Sequence, residues 1–520
     1  MARKGAVAAG HIETAEAAQV ILDEGGNAYD AVLAALCAAC VAEPVLSSFG
    51  GGGFLLAGGV NRDAVLYDFF TQTPCSKRPE SEIDLFPILA DFGTTQQEFH
   101  IGRGSVATPG VVRGIFEIHS DLGSMPLRRI IEPAAQLAKE GIILNRLQAY
   151  ILEVVGKIYV SNEESRAYYT TTGEAENLVA DGDTLKFPEF ADALEIIAIE
   201  GADLFYRGEM AQAMTADNLM GGGNLSMDDL ASYQVERRRP LAIDVGSARV
   251  LTNPPPSSGG LLIAFALELL RGSHLGSDGF GSKKHLEILT RIMAQTNKAR
   301  IDSDLHERDA EEAAETLLHQ GFIESYRSEV LGQPAVSRGT THMSVIDDQG
   351  NAASLTVSNG EGSACFVPGT GIMLNNMLGE EDINPHGFNQ WPLNRRMCSM
   401  MAPSLMLEKD GGITALGSGG SNRIRTAILQ TLINHVEFDM GLEDAVTSPR
   451  IHYEGGVLNI EPGFRPENFA NLLETVPEYK LWDDMNLFFG GVHAVARDGQ
   501  GNSFSGVGDP RRDGVALIHG

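Results

Sequence analysis

The sequence predicts a mixed α/β fold built as one interwoven unit. Three observations point there. Apolar segments with helical spacing and short β-prone runs follow one another along the whole 520-residue chain. No linker, internal repeat or low-complexity tract separates them. Residues 343–346, the polar run Asp347-Asp348-Gln349-Gly350-Asn351 and residues 352–358 read together as a β-hairpin.

Taken in order, residues 14–24 read as a helix capped by Thr14 and stopped at Gly25-Gly26. Residues 30–42 read as a second helix, nearly all apolar and therefore central, ended by Pro44. The run Gly50-Gly51-Gly52-Gly53 lacks both a following Lys-Ser/Thr and the GxGxxG spacing. Close backbone packing accounts for it better than a phosphate cradle does. Residues 65–70 read as a strand. Helices are expected over 111–119 after Thr108-Pro109-Gly110, over 126–140, and in pieces from 185 to 231 broken at Gly221-Gly222-Gly223. Further helices over 261–270, 283–299 and 311–319 lead to a strand-rich region from 340 to 422, then a helix over 424–435 and short strands.

Composition narrows the function. The formal net charge of -30 argues against nucleic acid as a partner, because phosphate backbones need clustered Lys and Arg. No run is apolar and long enough to span a bilayer, and Met-Ala-Arg-Lys-Gly-Ala-Val-Ala-Ala-Gly has no sustained apolar leader, so a cytoplasmic protein without membrane partners is expected. Cys37 and Cys40 form a CxxC inside an apolar helix, which reads as packing. Cys75, Cys365 and Cys398 read as free thiols. No motif calls for a metal or a cofactor.

The chemistry concentrates where Gly339-Thr340-Thr341-His342 enters the hairpin. A lone threonine hydroxyl is a poor nucleophile, and the chain near it supplies no obvious base. Cleavage before Thr340 would supply one, because a free α-amine has a pKa of about 8 against about 10.4 for lysine.

The surrounding residues are specific. Thr340-Thr341-His342-Met343-Ser344-Val345 with Asp347 and Gly350-Asn351-Ala352 resembles the start of the small subunit of γ-glutamyltranspeptidases, a family of N-terminal-nucleophile hydrolases. Gly371-Ile372-Met373-Leu374-Asn375-Asn376, Ala402-Pro403-Ser404, Gly417-Ser418-Gly419-Gly420, Ser448-Pro449-Arg450 and Asp509-Pro510-Arg511-Arg512-Asp513-Gly514 continue the resemblance. Upstream it runs through Gly25-Gly26-Asn27-Ala28-Tyr29-Asp30-Ala31, the four glycines with Phe54, and Pro254-Pro255-Pro256-Ser257-Ser258-Gly259-Gly260.

The resemblance implies a four-layer αββα sandwich assembled from two fragments of one self-cleaved chain, 1–339 and 340–520. It implies Thr340 as nucleophile, Ser358 or Thr356 as the hydroxyl supporting it, and Gly419 and Gly420 as the oxyanion-binding pair. Asn359, Glu380 (or its neighbour Glu381) and Ser399 are implied to hold the ends of a glutamyl substrate. The implied partners are a small-molecule amide and the chain's own other fragment, with room for a homodimer. Three departures stand out. Phe70 takes the place of the family's carboxylate-clamping Arg, with Arg103, Arg395 or Arg396 as replacements to consider. Met400 and Met377 stand at positions that are polar in the family. The segment 383–394 is too short for a lid loop. A γ-glutamyl amidohydrolase is the first expectation. An amidohydrolase on another small acyl amide, of the oxamate or cephalosporin-acylase type, is the second, and an uncut binding pseudoenzyme the third.

Overall fold

Period-two patterning organises the centre of the molecule. The computed structural model describes residues 4–91, 96–273, 275–303, 310–326, 339–384 and 387–519. In the strand Gly5–Ala9, Val7 and Ala9 enter one apolar cluster while Ala6 and Ala8 enter a second on the opposite face. The first sheet has seven strands. In spatial order they are Val515–His519, Gly5–Ala9, Thr341–Asp347, Asn351–Ser358, Gly52–Gly59, Arg62–Phe69 and Glu236–Arg238, all antiparallel. The second sheet has six: Phe504–Val507, Gly491–Arg497, Ile413–Gly419, Ser404–Leu407, Ala248–Thr252 and Leu241–Val245, also antiparallel.

The two sheets pack face to face, and helices cover both outer faces. Ile12–Asp23, Ala28–Ala42 and Leu127–Glu140 share one cluster with the first sheet. Ser258–Leu270, Lys283–Asp302 and Arg423–Glu437 share the other with the second sheet. This is the four-layer αββα sandwich. Every residue of Ala28–Ala42 is buried, as its apolar composition requires. Strands from before and after Gly339 are interleaved in the first sheet, Gly5–Ala9 lying between two strands of the later segment, so the two segments complete each other's hydrogen bonding. All five cysteines are free, with Cys37 and Cys40 buried in that central helix. Among the described residues no helix is long and apolar enough to cross a membrane.

The hairpin forms as its sequence dictates, with Met343 opposite Leu355. Asp347 closes the turn by accepting from the N–H of Gln349 and of Asn351 at 2.9 and 3.0 Å. Other elements differ from expectation. The strand Gly5–Ala9 was not foreseen, nor was the pairing of Phe86–Asp91 with Gln96–Ile101. The four glycines lead into the strand Gly52–Gly59. There a Cβ on Gly53 would approach the Thr356 carbonyl oxygen to 2.6 Å, so the strands meet only without a side chain. The first helix is capped by His11, whose Nδ1 accepts from Glu13 N–H, while Thr14 donates to Glu43 instead. The helix expected over 311–319 spans Ala310–Leu318.

Candidate active site

Thr340 is buried where the first sheet meets the end of the strand Ile413–Gly419. In the uncut chain its Oγ1 donates to the carbonyl oxygen of Gly339 at 2.7 Å. That oxygen accepts a second bond from Ser358 Oγ at 2.7 Å, and Ser358 in turn accepts from the N–H of Gly360 at 3.1 Å. Thr356 and Ser358 are two residues apart and share one face of this strand, so their partners decide between the two candidate hydroxyls. Thr356 is occupied by His342 Nδ1 at 2.8 Å, leaving Ser358 as the one on the Gly339 carbonyl. Burial, reinforced by the nearby His493, holds the His342 imidazole well below its ordinary value and therefore neutral. His342 Nε2 also bonds Ser344 Oγ at 2.9 Å, so its two ring nitrogens are occupied within the layer between the sheets.

Gly419 and Gly420 form the wall beside Thr340. A Cβ on Gly419 would come within 2.2 Å of the Thr340 carbonyl oxygen, and Gly420 has φ +115°, so glycine is required at both. Arg512 stands behind this wall and donates to the Thr340 carbonyl at 3.3 Å. Burial pulls its guanidinium down to about 10, opposed by the charges of Asp509, Glu361 and Glu43. On the next residue, Thr341 Oγ1 donates to Glu43 at 2.6 Å, and Thr14 donates to the same carboxyl at 2.9 Å.

A cleft of about 400 Å³ opens at Thr340. Glu380, Ser399, Ser358 and Ser421 supply polar atoms to it, and Phe70, Ile383, Met377, Met400, Met401 and Ile424 supply an apolar lining. Glu380, rather than Glu381, is the acid among the lining residues. Ser399 is fixed from below by the start of the helix Ser258–Leu270. The N–H groups of Ser258 and Gly259 and the Ser257 hydroxyl all donate to its carbonyl, at 2.9, 3.2 and 2.8 Å. The run Pro254 to Gly260 thereby positions the cleft wall, and a Cβ on Gly259 would meet the Met400 carbonyl oxygen at 2.0 Å. Asn359 is fully buried and does not line the cleft; its carboxamide oxygen lies against Gly51.

None of the three arginines considered as replacements for the carboxylate clamp reaches the cleft. Arg103 is held by Asp217 through two bonds of 2.9 and 3.0 Å. Arg396 donates to the Phe70 carbonyl, to the Tyr233 hydroxyl and to the Gln234 carbonyl, and faces Asp68. Arg395 is exposed. Phe70 lines the cleft and stacks on Phe54 with ring centroids 5.4 Å apart. Of the segment 383–394, residues 385 and 386 lie outside the described residues.

Two contacts went unread in the sequence. Glu361 accepts from the N–H of Gly339 at 2.7 Å, and Arg512 holds Thr340. The signals were present in Gly360-Glu361-Gly362 and in the paired arginines near the C-terminus.

The comparisons agree with this architecture. A family model described as gamma-glutamyltranspeptidase matches residues 14–519. The chain is 29% identical over 552 residues to a glutathione hydrolase proenzyme of Escherichia coli (strain K12), covering 98% of this chain and 91% of that protein. It is 30% identical over 535 residues to an acylase ACY 1 proenzyme of Pseudomonas sp. (strain SE83), covering 99% and 93%. A cephalosporin acylase from Bacillus halodurans shares the fold, with a TM-score of 0.83 at 24% identity over 99% of this chain and 96% of that one. With its family model matched almost end to end, the chain belongs to the γ-glutamyltranspeptidase family.

Proposed function

We propose that this enzyme is a self-processing γ-glutamyltransferase-like amidohydrolase that cuts itself between Gly339 and Thr340 and then cleaves γ-glutamyl amides such as glutathione. The observation that carries the reading is the Gly339 carbonyl, which receives both Thr340 Oγ1 and Ser358 Oγ at 2.7 Å. Self-cleavage is an acyl shift. Thr340 Oγ1 bonds to the carbonyl carbon, the peptide C–N bond breaks, and the hydroxyl proton passes to the freed nitrogen. Water then opens the ester, leaving fragments 1–339 and 340–520.

The new amine gives Thr340 its own base. It accepts the hydroxyl proton during attack on a substrate amide and returns it to the leaving amine. Adjacent N–H groups at Gly419 and Gly420 stabilise the oxyanion, and each such donor is worth about 3 kcal/mol. Water, or an acceptor amine, resolves the acyl-enzyme. Glu380 pairs with the ammonium of the glutamyl group, with Ser399 assisting at its carboxylate end; Asn359, buried away from the cleft, takes no part. Five free thiols fit a reducing, cytoplasmic setting, which cell fractionation tests. Sedimentation of the cut enzyme tests the homodimer that the family resemblance allows.

A second reading keeps the chemistry and changes the acyl group. Phe70, Met377 and Met400 make the cleft apolar, and no arginine or lysine is among its described lining residues. Without a bidentate cation, selection of a free carboxylate is weak, which favours an acylase on a small apolar or weakly acidic acyl amide. Comparing kcat/KM for γ-glutamyl, glutaryl and oxamate amides separates the two. A γ-glutamyl value at least ten-fold above the others upholds the first reading, and the reverse order upholds the second.

A further inference from the structure

In the uncut chain Gly339 is held at both of its polar backbone atoms. Its carbonyl is bonded by Ser358 and Thr340, and its N–H donates to Glu361 Oε1 at 2.7 Å. Glu361 is 2% exposed and sits in the turn Asn359-Gly360-Glu361-Gly362. Both glycines of that turn have left-handed φ, +65° and +83°, so the run is shaped to fold the carboxylate back on the scissile residue. The platform is itself fixed. The Glu361 N–H donates to Asn376 Oδ1 at 2.9 Å, and its carbonyl accepts from the Tyr159 hydroxyl at 3.0 Å. The scissile residue must also be small, since a Cβ at 339 would lie 2.8 Å from the Gly360 carbonyl oxygen and 3.1 Å from Glu361 Oε2.

We propose that Glu361 is a positioning residue for self-cleavage: by holding the N–H of Gly339 it aims the adjoining carbonyl at Thr340 Oγ1 and Ser358. This rests on the self-processing reading above. Glycine has more backbone freedom than any other residue, so an unanchored Gly339 swings its carbonyl through many orientations that Thr340 cannot attack. Glu361 exchanges no proton and touches neither the bond that forms nor the one that breaks. An N–H on a buried carboxylate is a charge-assisted bond, and losing it should slow cleavage roughly 10- to 100-fold.

The test follows the loss of intact chain by mass spectrometry in the wild type, Glu361→Ala, Glu361→Gln and, as an uncut control, Thr340→Ala. Glu361→Ala should slow cleavage by about 10- to 100-fold, while Glu361→Gln, whose carboxamide oxygen still accepts, stays within roughly 5-fold of wild type. A purely structural role predicts no such rescue. Wild-type speed in Glu361→Ala, or a folded Glu361→Gln as slow as Glu361→Ala, overturns the proposal. If Glu361→Ala is recovered unfolded, Glu361→Asp carries the comparison, because it withdraws the acceptor by one methylene; slowing supports the proposal and wild-type speed overturns it. A wild-type chain that stays uncut fails the self-processing reading itself, which is distinct from a cut wild type with an equally fast Glu361→Ala.

Discussion

Ser358→Ala isolates the contribution of a single hydroxyl to making the nucleophile. Ser358 Oγ lies 2.7 Å from the Gly339 carbonyl oxygen, on which negative charge develops as Thr340 attacks. Removing one such donor costs about 3 to 4 kcal/mol in the transition state, or a roughly 100- to 1,000-fold slower cleavage. The same change leaves the Gly360 N–H without its 3.1 Å acceptor. That second effect is a stability cost of about 1 kcal/mol and acts on the whole fold, not on the barrier. The two are separable: intact mass against time gives the cleavage rate, and chemical denaturation of the uncut chain gives the stability. Ser358→Thr restores the hydroxyl and should cleave within about 5-fold of wild type. Cleavage of Ser358→Ala within about 3-fold of wild type would refute the assigned role, since no 2.7 Å donor to a developing oxyanion should be so dispensable.

Two further predictions concern substrate and pH. Glu380→Gln should raise KM for γ-glutamyl anilides by roughly 10-fold or more while leaving self-cleavage intact, because the lost charge pairs with substrate and not with the scissile bond; an unchanged KM would favour the apolar-acyl reading. Burial pushes the Glu43 carboxyl from 4.5 up to about 7, with the Thr341 and Thr14 hydroxyls pulling it back. The folded chain therefore keeps this proton after the unfolded chain has released it. Its stabilising contribution is complete below 4.5 and is lost as pH rises to about 7, an order of 3 kcal/mol. Glu43→Gln should flatten that slope in urea titrations at a series of pH values, and an unaltered slope would count against it.

Legibility in the sequence followed the range over which each residue acts. The hairpin from Thr341 to Ser358 could be read because its alternation and its Asp-Gln-Gly-Asn turn are local. The strand Gly5–Ala9 could not, since Gly-Ala-Val-Ala-Ala is buried on both faces and carries no alternation of polar and apolar residues. Thr14 looked like a helix cap, yet its hydroxyl is drawn to Glu43, 29 residues away. In the site, the structure brings Thr340, Ser358, Glu380 and Ser399 together along one cleft, with Gly419 against the Thr340 carbonyl. Asn359 lies apart from the lining, and Arg512 meets Thr340 across 172 residues. Such long contacts arise only when the sheets close. The Phe70 substitution was plain in the sequence; that Arg396 is spent on Asp68 and the Phe70 carbonyl was not.

The most direct test of the central claim follows activity and covalent state together in one sample. Freshly purified chain is incubated, and amide turnover is plotted against the fraction of protein whose N-terminal residue is Thr340, read by mass spectrometry and N-terminal sequencing. The account predicts a line through the origin, with Thr340→Ala remaining whole and inactive. Steady turnover by protein in which Gly339 and Thr340 are still joined would contradict it.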